Sequence, residues 1–424
     1  MAPAPAPASA SGPAPAPAPA PLRIVRLANF VTPASGGLRT ALRELGAGYR
    51  AAGHEPVLVV PGERFSDTDT EQGRVITVPG PRVPGTGGYR VLTDRRRLTR
   101  LLEALAPDRL EVSDRTTLRW TGEWARRARV PAVMVSHESA DGVLRTWGVP
   151  EAAARHVADR LNLRTAHAYS RVLCTTEWAA REFVRIGTRN LVHAPLGVDL
   201  DCFHPARHSA SLRAHHAPDG GVLLVMCSRL SPEKRPGHAL DALAELRRRG
   251  VPATLVVAGD GPLRTRLESR AREEGLPAEF LGHVADRGAL AALQASADLV
   301  LAPGPAETFG LAALEALACG TPVVVSALSA LPDIVGPAGE TAADQGDLVG
   351  VPPGGTSQRP RWGRSLGEVA GGGPAFADAA ERLLARPASD RRASARARAE
   401  RYGWPTAVAA FLSAHDAPPL RDPR

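Results

Sequence analysis

The stretch Asp298–Ser326, DLVLAPGPAETFGLAALEALACGTPVVVS, constrains the fold of this chain more than any other. Leu299, Val300 and Leu301 form a short apolar run that ends in a Pro/Gly turn at Pro303 to Pro305. Runs without polar alternation suit strands buried on both faces of a parallel sheet. A helix follows with Leu311, Leu314 and Ala318 on one face, with Thr308 as its expected N-cap. Gly320 and Pro322 stop it, and Thr321 to Ser326 read as the next strand. Strand, helix and strand in this order predict an α/β fold with a parallel sheet.

The same unit sets two carboxylates beside one helix N-terminus, Glu307 in the loop and Glu315 in the second turn. The amides of Phe309, Gly310 and Leu311 precede the first intrahelical bond and carry the positive end of the helix dipole. Free amides with two acidic groups suit a ligand that has an anionic part and several hydroxyls, such as a nucleotide sugar. On spacing alone, solvated helix-terminus charges explain the pair equally well.

The Glu307–Glu315 pair, with seven residues between its members and set in AETFGLAALEALACGTPVV, resembles the signature of the family-4 retaining glycosyltransferases. The resemblance includes the FGL amides, the small-residue helix and the closing GTPVV strand, and it extends over nearly all of Leu22 to Ala414. It implies two Rossmann-like domains facing each other across a cleft, the glycosyltransferase B fold. It implies that Glu307 contacts the transferred sugar and Glu315 the donor ribose.

Composition agrees with a ligand of this kind. The chain has 424 residues, 44% of them hydrophobic, enough for two or three domains with real cores. A formal charge of +8 favours acidic partners: nucleotide diphosphates, anionic head groups or nucleic acid. With 4% aromatics and no zinc-finger or aromatic RNA-binding motif, nucleic acid is not expected as a partner. Cys174, Cys202, Cys227 and Cys319 lie far apart with no CxxC pair, as in a reduced, cytoplasmic protein. No apolar run approaches the about 18 residues that span a bilayer.

Residues 1–21 are almost pure Ala and Pro, which read as an extended, disordered tail rather than a signal peptide. Residues 22–198 read as the first domain, which the resemblance implies is the acceptor side. It opens with the strand LRIVRLAN, a helix carrying Leu38, Ala41, Leu42 and Leu45, and the strand PVLVV. Gly36 and Gly37 fall in the loop at the carboxyl end of the first strand, where open α/β sheets bind ligands and glycine lets backbone approach a phosphate. Strands follow at 75–79, 108–114 and 131–139, and His137 ends the last of these on the same edge. A lone His is usually structural; the resemblance implies a contact with the donor sugar. The helix over Asp94 to Leu105 shows a leucine stripe with Arg95, Arg96, Arg97 and Arg100 beside it. That reads first as a solvated basic face, and second as a peripheral contact with an anionic membrane at its inner face.

GVDLDCFHP (197–205) is similar to the interdomain hinge of the family, taken here as 199–219, so the Asp199–Asp201 DxD is read as hinge rather than metal site. Residues 220–400 form the second domain. Arg229 and Lys234 follow the strand Val222 to Cys227, and their spacing resembles the family's diphosphate clamp. Two fixed cations and helix amides would stabilise a leaving diphosphate with no metal and no cofactor. Gly259 and Gly261 invite a dinucleotide reading, but Arg264 stands where the third glycine belongs. The resemblance places His283 and Val284, after the strand at 278–284, near the nucleotide base. Residues 346–374 read as an inserted loop, helices resume at Ala375 to Ala385 and Ala388 to Ala414, and residues 401–424 are expected to cross back to the first domain.

The expected reaction is retaining transfer of a hexose from a nucleotide diphosphate sugar to a sugar, lipid or small-molecule hydroxyl. The motifs are most similar to those of bacterial GDP-mannose-dependent mannosyltransferases, including those acting on inositol lipids. A UDP-sugar donor, a sugar-nucleotide epimerase and a non-catalytic nucleotide-sugar-binding protein are the alternatives.

Overall fold

The computed structural model describes residues 20–416 except 32–35, 84–87, 138, 147, 306, 337–339 and 343–371. The Ala/Pro tail through residue 19, most of the loop before Gly36, and the 346–371 part of the expected insertion therefore lie outside the described residues.

Two sheets organise the chain. The first holds β1 (Arg23–Leu27), β2 (Glu55–Gly62), β3 (Ser66–Thr70), β4 (Gly73–Pro79), β5 (Arg109–Val112), β6 (Ala132–Ser136), β7 (Arg171–Cys174) and β8 (Leu191–His193). Their order is β3-β4-β2-β1-β5-β6-β7-β8, parallel throughout except for the antiparallel β3–β4 pair. The second holds β9 (Val222–Cys227), β10 (Ala253–Ala258), β11 (Ala278–Gly282), β12 (Leu299–Ala302), β13 (Val323–Ser326) and β14 (Glu340–Ala342). Its order is β11-β10-β9-β12-β13-β14, all parallel. Both sheets reverse direction of growth at their first strand, so the crevices outside the carboxyl ends of β1 and β9 are the natural ligand sites.

β3 has no apolar alternation, and sequence reading did not find it. Its residues SDTDT are exposed except for the half-buried Thr70, and it is held by pairing with β4 and by Asp67 on Arg74 at 2.6 Å. A short charged strand at a sheet edge also discourages pairing with other chains.

The chain crosses between the lobes twice, and the crossings pair: the Val198 amide donates to the Tyr402 carbonyl at 2.7 Å. The expected single helix over Ala388 to Ala414 is instead two. The Ala388–Ala399 helix ends in a tight turn, Gly403 is extended (φ −70°, ψ 144°), and a new helix starts at Trp404–Pro405. The strand-like pairing of Gly403 with Val198 breaks the helix there. The Trp404–His415 helix then returns to the first lobe. It packs on the Gly37–Ala51 helix, where Val408 fills the space a side chain at Gly48 would need. A single apolar core therefore runs through both lobes, from Ile24 and Val135 to Val225 and Phe411. Among the described residues no helix is long and apolar enough to cross a membrane.

Candidate active site

The second lobe supplies a cation pair and a carboxylate. After β9 the backbone turns through Ser231 and a tight Pro232–Lys234 turn, and Arg235 takes a left-handed φ of 44° before the Gly237–Arg248 helix. That geometry sends Lys234 toward the loop after β12, where its Nζ donates to Glu307 Oε1 at 2.5 Å. Gly304 permits the approach: a Cβ there would lie 3.3 Å from Lys234 Cδ and 3.5 Å from Glu307 Cγ. Arg229 stays largely open to solvent, 3.4 Å from Glu233 on its own turn. Across the cleft, its guanidinium donates to Tyr89 Oη at 3.2 Å and lies over the Tyr89 ring, 5.6 Å from the centroid.

The helix beside Glu307 begins at Leu311, with Gly310 and not Thr308 as its N-cap. Gly310 has φ 71°, and a Cβ there would come within 2.1 Å of Leu331 Cδ2. This left-handed turn, which glycine adopts without strain, moves the N-cap two residues past the expected one. Thr308 serves the domain contact instead, its carbonyl accepting from Thr176 Oγ1 at 2.9 Å. The first helical bond runs from Ala313 N to Gly310 O at 3.0 Å, so the amides of Phe309, Gly310 and Leu311 all precede it. The Phe309 and Leu311 side chains are buried, which leaves their backbone as the part a ligand could use.

Glu315, one turn further in, faces a different set of charges. Burial pushes its carboxyl up to about 7, against Arg287 and Arg43, which lower it, with Asp199 and Glu44 adding to the rise. Arg287 bridges the lobes: Nη1 lies 3.3 Å from Glu44 on the first lobe and Nη2 lies 3.5 Å from Asp199 in the hinge. Asp199 also caps its own turn, accepting from Cys202 N at 2.9 Å. The described residues include one group with metal-like spacing, His215, His216 and Glu279, at the β11 edge, and it contains no predicted site residue.

The first lobe presents Gly36, Gly37 and His137. Gly37 starts the helix after β1 and faces the second lobe; a Cβ there would sit 3.7 Å from Leu311 Cδ1, while one at Gly36 would meet open space. His137 follows β6 and hydrogen-bonds Ser113 Oγ through Nε2 at 3.2 Å, within its own lobe. Burial pushes it down to about 4, opposed by Glu111, so the imidazole is neutral at pH 7. His283 is exposed after β11, and Val284 packs against the shared core.

The structure thus brings Lys234 and Glu307 into contact, sets Arg229 on the same turn, and places Gly37 against Leu311 across the cleft. It keeps His137 on the first lobe and Glu315 in the hinge-side cluster. Sequence reading missed Tyr89, Thr176 and Arg287. Each makes its contact across the lobes, and no local periodicity signals such a partner.

Comparison with known proteins adds to this geometry. The family described as Glycosyl transferases group 1 matches residues 209–347, and the Glycosyl transferase 4-like domain matches residues 36–197. A GDP-mannose-dependent alpha-(1-6)-phosphatidylinositol dimannoside mannosyltransferase of Mycobacterium tuberculosis is 48% identical over 393 residues, covering 92% of this chain and 95% of the relative. A GDP-mannose-dependent alpha-mannosyltransferase of Corynebacterium glutamicum is 27% identical over 311 residues, 72% of each chain. Among solved structures, a sucrose-phosphate synthase from Thermosynechococcus elongatus superposes with a TM-score of 0.69 at 20% identity, covering 92% of this chain and 98% of that one. At that identity the likeness speaks for the fold, two Rossmann-like domains of the glycosyltransferase B type.

Proposed function

The chain belongs to the group 1 glycosyltransferases, and from that premise we propose that it moves mannose from GDP-mannose onto a mannosylated phosphatidylinositol. The observation that carries this reading is the 48% identity, spread over 92% of the chain, with an enzyme whose name specifies that donor and that class of acceptor.

The site chemistry supports it. In the transfer, the bond from mannose C1 to the β-phosphate oxygen breaks and a bond from the acceptor oxygen to C1 forms on the same face. The acceptor proton passes to the departing phosphate oxygen. Negative charge therefore accumulates on GDP, beside Arg229, Lys234 and the amides of Phe309, Gly310 and Leu311. Glu307, fixed by its 2.5 Å ion pair with Lys234, is positioned to hold sugar hydroxyls while Lys234 holds phosphate. Glu315 takes the ribose hydroxyls. His283 and Val284 flank the base. From the first lobe, Gly36 and Gly37 leave backbone open to phosphate and acceptor, and the neutral His137 is a hydrogen-bond partner for the sugar, carrying no charge to oppose Arg229. Closure of the lobes, already linked by Tyr89, Thr176 and Arg287, would exclude water and suppress hydrolysis. No step in this scheme requires a metal. An acceptor of this kind would bring the reaction to a membrane surface, and we take that surface to be the cytoplasmic face.

The test is a donor panel with a phosphatidylinositol dimannoside acceptor, read by mass spectrometry. GDP-mannose should yield product one hexose heavier, and UDP-glucose should yield none. Product from UDP-glucose alone would overturn the donor assignment. Release of an epimerised sugar nucleotide without acceptor would favour the epimerase alternative.

A further inference from the structure

A second concavity lies on the first lobe, lined by none of the site residues assigned above, with a volume of about 690 Å³. Its origin is topological. β2 reaches its parallel neighbour β4 through the β3 hairpin and not through a crossover helix. One face of the pair packs on the lobe's core through Val57, Val59, Ile76 and Val78. The other face carries Leu58 and Val60, largely buried against Ala28 and against Leu42 of the Gly37–Ala51 helix, and the half-buried Val75, and the edges of all three line the concavity. The result is a groove with an apolar floor.

Its rim is basic. Arg39 and Arg82 are exposed on either side, and Arg90 is held in place by the Gly80 carbonyl at 2.6 Å and by Glu63 at 3.7 Å. One end of the groove is one residue along the chain from the reaction cleft: its lining includes Gly88, and the next residue, Tyr89, carries the hydrogen bond to Arg229. Val31 lines the same end, after β1. An apolar trough with cations at its lip, one residue along the chain from the Tyr89 that bonds Arg229, matches an amphiphile with one anionic group between its tail and its reacting sugar. Volumes of 300–1,000 Å³ are typical of small-molecule sites.

We propose that this groove binds the phosphoglyceride part of the lipid acceptor, an acyl chain against Leu58, Val60 and Val75 and the phosphate at Arg39 and Arg82. The assignment rests on the lipid-acceptor reading above and deepens it by placing the lipid.

The experiment is calorimetric titration of the full chain with dioctanoyl phosphatidylinositol, below its micellar concentration, and with glycerophosphoinositol. Each methylene buried is worth roughly fourfold in affinity, so the acylated probe should bind at least tenfold more tightly. Thr77→Trp or Val75→Phe, whichever melts like the wild type, plugs the trough and should erase that preference. Arg82→Glu should weaken both probes several-fold. Equal affinity of the wild type for the two probes, or an undiminished preference in a folded plugged variant, would overturn the proposal. Binding is read without turnover, so failure of the mannosyl-transfer reading, seen as no product from GDP-mannose, is distinguishable from failure of the groove.

Discussion

The two lobes share an architecture and differ in where they keep their charges. In the second lobe the strands β9, β10, β12 and β13 pack through Leu, Val, Met and Ala, and the working charges stand at the strand ends. In the first lobe charges go inside. Among the described residues, every Arg, Asp, Glu or His that is almost wholly shut off from solvent belongs to that lobe or to the helix that returns to it, while Glu315 of the second lobe is half-buried. Arg26 on β1 pairs with Glu111 on β5 at 2.9 Å, and Glu111 also takes Tyr49 Oη at 2.7 Å and His415 Nε2 at 3.3 Å. Burial alone would raise the Glu111 carboxyl; Arg26, His415 and Tyr49 together pull it well below its ordinary range. Arg115, Glu182 and Asn162 form a second buried cluster. The first network ties the returning helix to the first sheet, so it fixes how the lobes are joined. The second lobe relies on apolar packing to fix a helix terminus and two side chains.

The largest expected effect tests the buried network. Glu111→Ala leaves Arg26 and His415 without their carboxylate, and breaking such a pair costs about 3–5 kcal/mol in chemical denaturation. An effect below about 1 kcal/mol would show that the network is not the joint described here.

Next comes pH, where the lobes should respond in opposite directions. His137 of the first lobe titrates at about 4 when folded against an ordinary 6.5, so its contribution to stability is complete above 6.5 and is lost as pH falls toward 4. Glu315 of the second lobe titrates at about 7 against 4.5, so the folded state is favoured below 4.5 and loses stability as pH rises to 7. Each is on the order of 3 kcal/mol by linkage. Glu315→Gln should therefore stabilise the chain at pH 8 relative to wild type, and His137→Asn should flatten the acid limb. Melting curves from pH 4 to 8 that are unchanged by either substitution would remove this distinction.

Gly310→Ala is the third test. The αL conformation costs a non-glycine residue about 1–2 kcal/mol, and repulsion from Leu331 adds to it. Transfer should fall along with stability, because the turn aims the helix amides. The smallest effect is expected for Thr176→Ala, which removes both its cap on Ala179 N and its bond to the Thr308 carbonyl. About 1 kcal/mol should be lost, with a rise in KM exceeding any fall in kcat if the contact serves lobe closure.

What could be read from the sequence follows the same division. The strand–helix–strand unit around Glu307 and Glu315 was legible because apolar runs, glycine stops and the carboxylate spacing are all local. The first lobe's interior was not. Arg26 in RIVRL reads as an exposed position, and only the register that sets it opposite Glu111 on β5 shows otherwise. β3 lacks an apolar pattern altogether. The break at Gly403 depends on its pairing with Val198, about two hundred residues earlier by the numbering. Arg287 looks like an ordinary first-turn residue behind its Asp286 cap until the first lobe's Glu44 is brought against it.

Lys234 is where the account is most exposed. Single-turnover transfer from GDP-mannose to phosphatidylinositol dimannoside, compared between wild type and Lys234→Ala, measures whether the cation beside Glu307 stabilises the leaving diphosphate. Removal of a comparable electrostatic group slows other enzymes by about 10²–10³-fold, and a loss of that size with wild-type melting is the predicted result. Transfer within a few-fold of wild type, by a folded variant that still binds donor, would contradict it.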